Sequence, residues 1–233
     1  MMDQMNRSPV FVVAWALALA GFVLLSVLAA ITDNFPGDVW LAHRIQEIDI
    51  RGFARVLHWA ADSADAPEIV LVCAVAVTLM LLAGDAAGAL VLPVIVSGRG
   101  LITWALKELI ERPRPSSAFV HFEDQPTTFS FPSGHAMAAF VLCGLLFYSA
   151  ALHLHDARLR LPIQAACVAI VLLTGIERVY DGQHWPSDVI GGYYAGALIV
   201  GAVVVVHQYM RHRTSNLPRD RSFSRSAAAT DPE

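Results

Sequence analysis

The chain has 233 residues, of which 56% are hydrophobic and only 15% charged; the mean hydropathy is +0.53 and the formal net charge −4. A soluble globular domain carries about 25% charged residues, so the composition points to a membrane protein of one ordinary domain. The small net charge gives no basis for a nucleic-acid partner.

Residues 1–8 form a short polar head. Val10 to Ile31 is an unbroken apolar run of 22 residues. A spanning helix needs about 20 residues, whereas the apolar core of a cleavable signal is shorter, ~7–15; the run reads as a retained membrane anchor. Residues 32–68 open on a turn from Asp33 to Asp38. Trp40, Leu41, Ile45 and Ile48, then Phe53, Val56, Leu57 and Ala60, recur at helical spacing among Arg44, Glu47, Asp49, Arg51 and Arg55. That pattern predicts an amphipathic helix on the membrane surface, capping the bundle rather than forming a lipid-facing entrance. Ile69 to Ala83 is the second apolar run, and a tight connection at 84–88 leads to the third, Ala89 to Leu106. The third holds Arg99 between Gly98 and Gly100. A charge within a span costs ~2.5–3.5 kcal/mol on insertion scales, so Arg99 either lines the floor of a polar site or pairs with a structural carboxylate. Ala136–Leu152, Leu161–Ile176 and Val189–His207 are the remaining runs. The predicted fold is therefore all-α: a six-transmembrane helix bundle over residues 9–208, with the amphipathic surface helix between spans 1 and 2. Residues 209–233 read as a disordered basic tail. Cys73, Cys143 and Cys167 lie far apart inside apolar runs and read as buried small hydrophobes.

Six spans place both termini on one side. Setting aside Lys107, Arg114 and Arg178, whose charges chemistry could demand, the remaining basic residues favour both termini in the cytoplasm. Residues 107–132 and 177–188 then share the extracytoplasmic face. Three polar clusters converge there: Lys107 to Pro115, Phe131 to His135, and Arg178 to Asp188.

Their chemistry suits a phosphate. Lys107, the one lysine in the chain, offers a point charge, and Arg114 and Arg178 offer planar donor forks. Arg112 either adds a third cation or only solvates the surface. Ser133 is placed to cap a helix, and Gly134 lets an anion approach its free backbone N–H groups. His135 follows in the first turn. Asp188 lies four residues beyond His184, where it can hold the ring in one tautomer or merely make a capping contact. Two histidines allow one to attack phosphorus and the other to protonate the leaving oxygen; the cations neutralise the charge, so no metal or cofactor is required.

Lys107…Arg114-Pro115, Pro132-Ser133-Gly134-His135 and Arg178…His184…Asp188 resemble the three-part signature of the type 2 phosphatidic acid phosphatase (PAP2) superfamily. The resemblance covers roughly residues 9–208. It implies a phosphohistidine at His184 oriented by Asp188, with His135 as general acid. Lys107, Arg114, Ser133, Gly134 and Arg178 would bind the substrate phosphate. One position departs: Glu177 stands where the family usually has serine. A carboxylate there either turns away, toward an arginine, or alters preference and rate. The expected protein is an inner-membrane lipid phosphatase acting on a lipid phosphate or diphosphate, of undecaprenyl diphosphate, phosphatidylglycerol phosphate or phosphatidic acid type. The alternatives are a lipid phosphotransferase and a non-enzymatic anion-binding membrane protein or transporter. The oligomeric state is not legible.

Overall fold

The computed structural model describes residues 9–62 and 66–215. The described residues form eight helices and no strand: α1 (Pro9–Ile31), α2 (Asp38–Gln46), α3 (Phe53–Asp62), α4 (Ala66–Leu82), α5 (Ala86–Ile110), α6 (Gly134–His153), α7 (Ala157–Tyr180) and α8 (Pro186–Ser215). Five of them, α1, α5, α6, α7 and α8, are long and apolar enough to cross a membrane; the apolar part of α4, Glu68–Leu82, is shorter. The chain is a multi-pass membrane protein. Large apolar side chains such as Leu17, Leu24, Leu82, Leu90 and Leu109 stand outward, as expected of helices whose solvent is lipid and whose backbone bonds are satisfied internally. The predicted head at 1–8 and the tail beyond 215 lie outside the described residues; α8 itself continues past 208 to Ser215.

Helix α6 is the most enclosed element, burying nine side chains from Ala136 to Ala150, and it packs mainly on α7 and α8. The contact with α8 depends on small residues. A Cβ at Gly192 would lie 2.6 Å from the Ser133 carbonyl oxygen, and one at Gly196 would lie 2.9 Å from Phe140 Cβ. Without lipid-excluded hydrophobic gain, such close backbone approach is what holds membrane helices together.

The surface segment is two helices rather than one. Gly52, with φ +84°, starts the second after a break at 47–52. Gln46, at the end of α2, is a clamp: its amide donates to the His121 carbonyl at 2.6 Å and the Tyr180 carbonyl at 2.9 Å, and its oxygen accepts from His121 N at 3.1 Å. α2 thus covers the end of the bundle where α5 and α7 finish and α6 and α8 begin. Trp40, Trp59 and Trp104 remain exposed around that end. At the opposite end, Asp85 accepts from both His153 and His207, each at 3.1 Å, and from the Gly88 amide at 2.9 Å. Burial would raise the Asp85 pKa, but those donors outweigh it and hold the carboxyl below its ordinary range.

Candidate active site

Each site residue sits where a helix ends or begins. Lys107 lies in the last turn of α5, which closes on Glu111 in the left-handed region at φ 52°. The chain then leaves as Arg112-Pro113-Arg114-Pro115. Prolines bias the residues before them to extended geometry, so the two arginines point in different directions.

Arg114 faces the cavity. Its Nε donates to the Thr128 carbonyl at 2.7 Å, and its Nη1 donates to the Gln183 carbonyl at 2.6 Å and lies 3.4 Å from His184 Nε2. Lys107 Nζ donates to the Phe129 carbonyl. Arg112 meets neither expectation: it is not a third phosphate ligand and not a surface charge, but fully buried. Its Nη1 donates to Asp188 Oδ1 at 2.5 Å and to Ser187 Oγ at 2.8 Å, and its Nη2 donates to Asp38 Oδ2 at 3.1 Å. The Phe35 ring lies 4.9 Å from the guanidinium carbon.

His184 is buried between these groups. Its Nδ1 lies 3.6 Å from Asp188 Oδ2 and 3.4 Å from Ser130 Oγ. Arginine can only donate, so the nitrogen facing Arg114 must carry the lone pair. The proton then resides on Nδ1, toward Asp188, and Nε2 is free. Burial pushes the ring's pKa down to about 3; Arg114 and Lys107 add to the shift and Asp188 opposes it. The imidazole is therefore neutral, and nucleophilic, at ordinary pH.

Asp188 both caps a helix and faces the ring. Oδ2 accepts from the Trp185 amide at 2.9 Å, capping the start of α8 behind Pro186, and the same oxygen accepts from Ser130 Oγ at 2.5 Å while facing His184. Its own carbonyl takes Ser133 N at 3.0 Å, locking the α6 start to the α8 start. Ser133 caps α6 through the Ala136 amide at 3.5 Å and is fully buried; Gly134 and His135 are what reach the cavity wall.

Lys107, Arg114, Gly134, His135 and His184 line one cavity, which also includes Thr103, Gln183, Gly100 and Arg99. Arg99 thus takes the first of its two readings. It has no carboxylate partner among the described residues, and its Nε is buried without a hydrogen bond. Arg178 stands beside the cavity, its Nη1 3.5 Å from His135 Nδ1 and 3.0 Å from Gln183 Oε1. Its Nε and Nη2 are both taken by Glu177, which is buried. Glu177 does turn toward an arginine, and that arginine is the expected phosphate ligand itself. Glu177 also lies with His58 and Asp181 in a group whose ligand atoms fall within 4.8 Å of one another.

Sequence reasoning missed Asp38, Ser130, Ser187 and Gln183. Asp38 looked like part of a turn; Ser130 and Gln183 are uncharged loop residues, and Ser187 is an uncharged residue in the first turn of α8. The Arg-Pro-Arg-Pro run was a signal for Arg112 alone, because the extended geometry that proline favours in the residue before it separates the directions of Arg112 and Arg114.

The family model of the PAP2 superfamily matches residues 86–212. Phosphatidylglycerophosphatase B of Bacillus subtilis (strain 168) is 38% identical over 100 residues, 42% of this chain and 48% of that protein. Lipid A 1-phosphatase of Rhizobium johnstonii is 36% identical over 105 residues, 42% of this chain and 39% of that protein. In each case the match spans about half, or less, of the relative's own length. Among solved structures, a transmembrane PAP2 type phosphatidylglycerolphosphate phosphatase from Bacillus subtilis superposes with a TM-score of 0.68 at 22% identity, covering 87% of this chain and 98% of that one. The matched residues contain all three clusters, and on that ground the chain belongs to the PAP2 superfamily.

Proposed function

We propose that the protein is a metal-independent lipid phosphatase that works through a phosphohistidine. The observation that carries this reading is His184: its Nδ1 is turned to Asp188 and its Nε2 to Arg114, inside a cavity shared with Lys107 and His135. Nε2 uses its lone pair to form a P–N bond as the P–O bond to the lipid breaks. His135 gives a proton to the leaving oxygen. Water, deprotonated by His135, then attacks phosphorus and the P–N bond breaks, returning His184 to its neutral form and releasing phosphate. Lys107, Arg114, the amides at Gly134 and the Nη1 edge of Arg178, the one not held by Glu177, stabilise the charge on the phosphoryl oxygens.

The relatives' names support a lipid phosphate or diphosphate as substrate. Arg99 supports a lipid whose polar group reaches below the transferred phosphate, since eight residues of helix set it about 12 Å deeper than Lys107. α4, with 17 residues, spans about 26 Å and serves as the sixth crossing, slightly thinning the bilayer around it. Both termini then lie in the cytoplasm and the site opens on the outer face of the inner membrane. Phosphate release from a panel of long-chain lipid mono- and diphosphates in excess chelator tests the reading. Wild-type activity should persist in chelator and disappear in His184→Ala; no release from any lipid, or full activity in His184→Ala, overturns it.

A further inference from the structure

Asp38 and Arg112 belong to none of the three sequence clusters' phosphate-binding roles, yet they form an ion pair buried almost as completely as Arg112–Asp188: Arg112 is 0% exposed and Asp38 3%. Asp38 comes from the first turn of the surface helix α2, nearly 150 residues before the Ser187 it meets. It accepts from Arg112 Nη2 at 3.1 Å, from Ser187 N at 2.9 Å and from Ser187 Oγ at 2.6 Å. Arg112 in turn holds Asp188 Oδ1. The chain of contacts runs Asp38–Arg112–Asp188–His184.

The charges in this chain matter as much as the bonds. Arg112 paired with Asp188 alone would form a neutral couple, and a neutral couple offers little to a cation. Asp38 takes up the other face of the guanidinium, so the dry cluster of two carboxylates and one guanidinium carries one net negative charge. His184 becomes positively charged when Nε2 accepts the phosphoryl group with Nδ1 still protonated. In a water-poor setting, a fixed charge of the right sign stabilises that state far more than it would in water.

We propose that Asp38 is a positioning residue for the phosphatase reaction, acting through Arg112 to hold Asp188 against His184 and to leave the cluster one negative charge that offsets the charge developing on the ring. The inference rests on the phosphatase reading above. The surface helix α2 then does more than cover the bundle, because it delivers a carboxylate to the back of the nucleophile.

Charge counting separates this role from plain structural support. Asp38→Asn leaves the cluster neutral, Arg112→Gln leaves it doubly negative, and the double variant restores one negative charge. Each purified protein is assayed on one lipid phosphate that the wild type hydrolyses, with kcat expressed per folded molecule and unfolding followed in parallel. Asp38→Asn should lower kcat by about tenfold or more with KM within about twofold, because the lost interaction is made in the transition state. The double variant should recover much of that loss and exceed both single variants. A purely structural pair would change the folded fraction but not kcat per folded molecule. The proposal is overturned if Asp38→Asn keeps wild-type kcat, or if the double variant does not exceed both single variants. Should Asp38→Asn not fold, the double variant decides alone: kcat within about tenfold of wild type supports the proposal, and any larger loss overturns it. A wild type inactive on every lipid phosphate sinks the phosphatase reading instead, which is a separate result.

Discussion

Glu177 occupies two donor groups of Arg178 and leaves one edge of the guanidinium toward His135 and Gln183. A guanidinium paired with a carboxylate has less charge to give a phosphate, and the carboxylate itself repels one. Glu177→Ser should therefore tighten inhibition by inorganic phosphate or vanadate, by about tenfold for one recovered charge-assisted contact; unchanged or weaker inhibition would show that Arg178 does not reach the anion. The sequence exposed Glu177 as a departure but could not say which arginine it meets. The same limit applied to Arg112, whose burial depends on Asp38 arriving from a segment that reads locally as a turn. The meeting of His184 with Asp188 follows from spacing at one helix end and was legible; meetings between residues from distant parts of the fold were not.

Helix existence was the most legible level, because long apolar runs have few other fates in this composition. All six runs became helices, most of them extended by a few polar residues toward the site or its opposite pole. The surface segment broke into two helices because Gly52 adopts a positive φ, which a periodicity reading does not reveal. The close packing of α6 on α8 was also invisible, since glycine carries no hydrophobic signal. A methyl group at Gly192 would strike the Ser133 carbonyl, which is backbone and cannot rotate away, whereas one at Gly98 meets nothing within 4 Å. Gly192→Ala should destabilise the protein by about 1–3 kcal/mol and displace the α6 N-terminus from the site, while Gly98→Ala should leave the unfolding temperature unchanged or slightly raised. Thermal unfolding in detergent checks both.

For the whole molecule, the buried His184 ties stability to acidity. His184 titrates at about 3 in the folded chain, against about 6.5 when unfolded. Between those values the unfolded chain binds the additional proton, so stability is fully present above about 6.5 and is lost as pH falls toward 3. The unfolding temperature of the wild type should drop across that window more steeply than that of His184→Gln, and equal slopes would refute the link. Lys107 gives the intact protein a different kind of handle. It is the only lysine of the 233 residues, and it lies buried in the cavity wall with its amine on the Phe129 carbonyl. Apart from the α-amino group, the protein thus presents amine-directed reagents with a single target, placed in the wall of the cavity that His135 and His184 share. The rate at which an acylating reagent marks that amine reads how often the cavity opens, and protection by a bound anion reads its occupancy, with no engineered label.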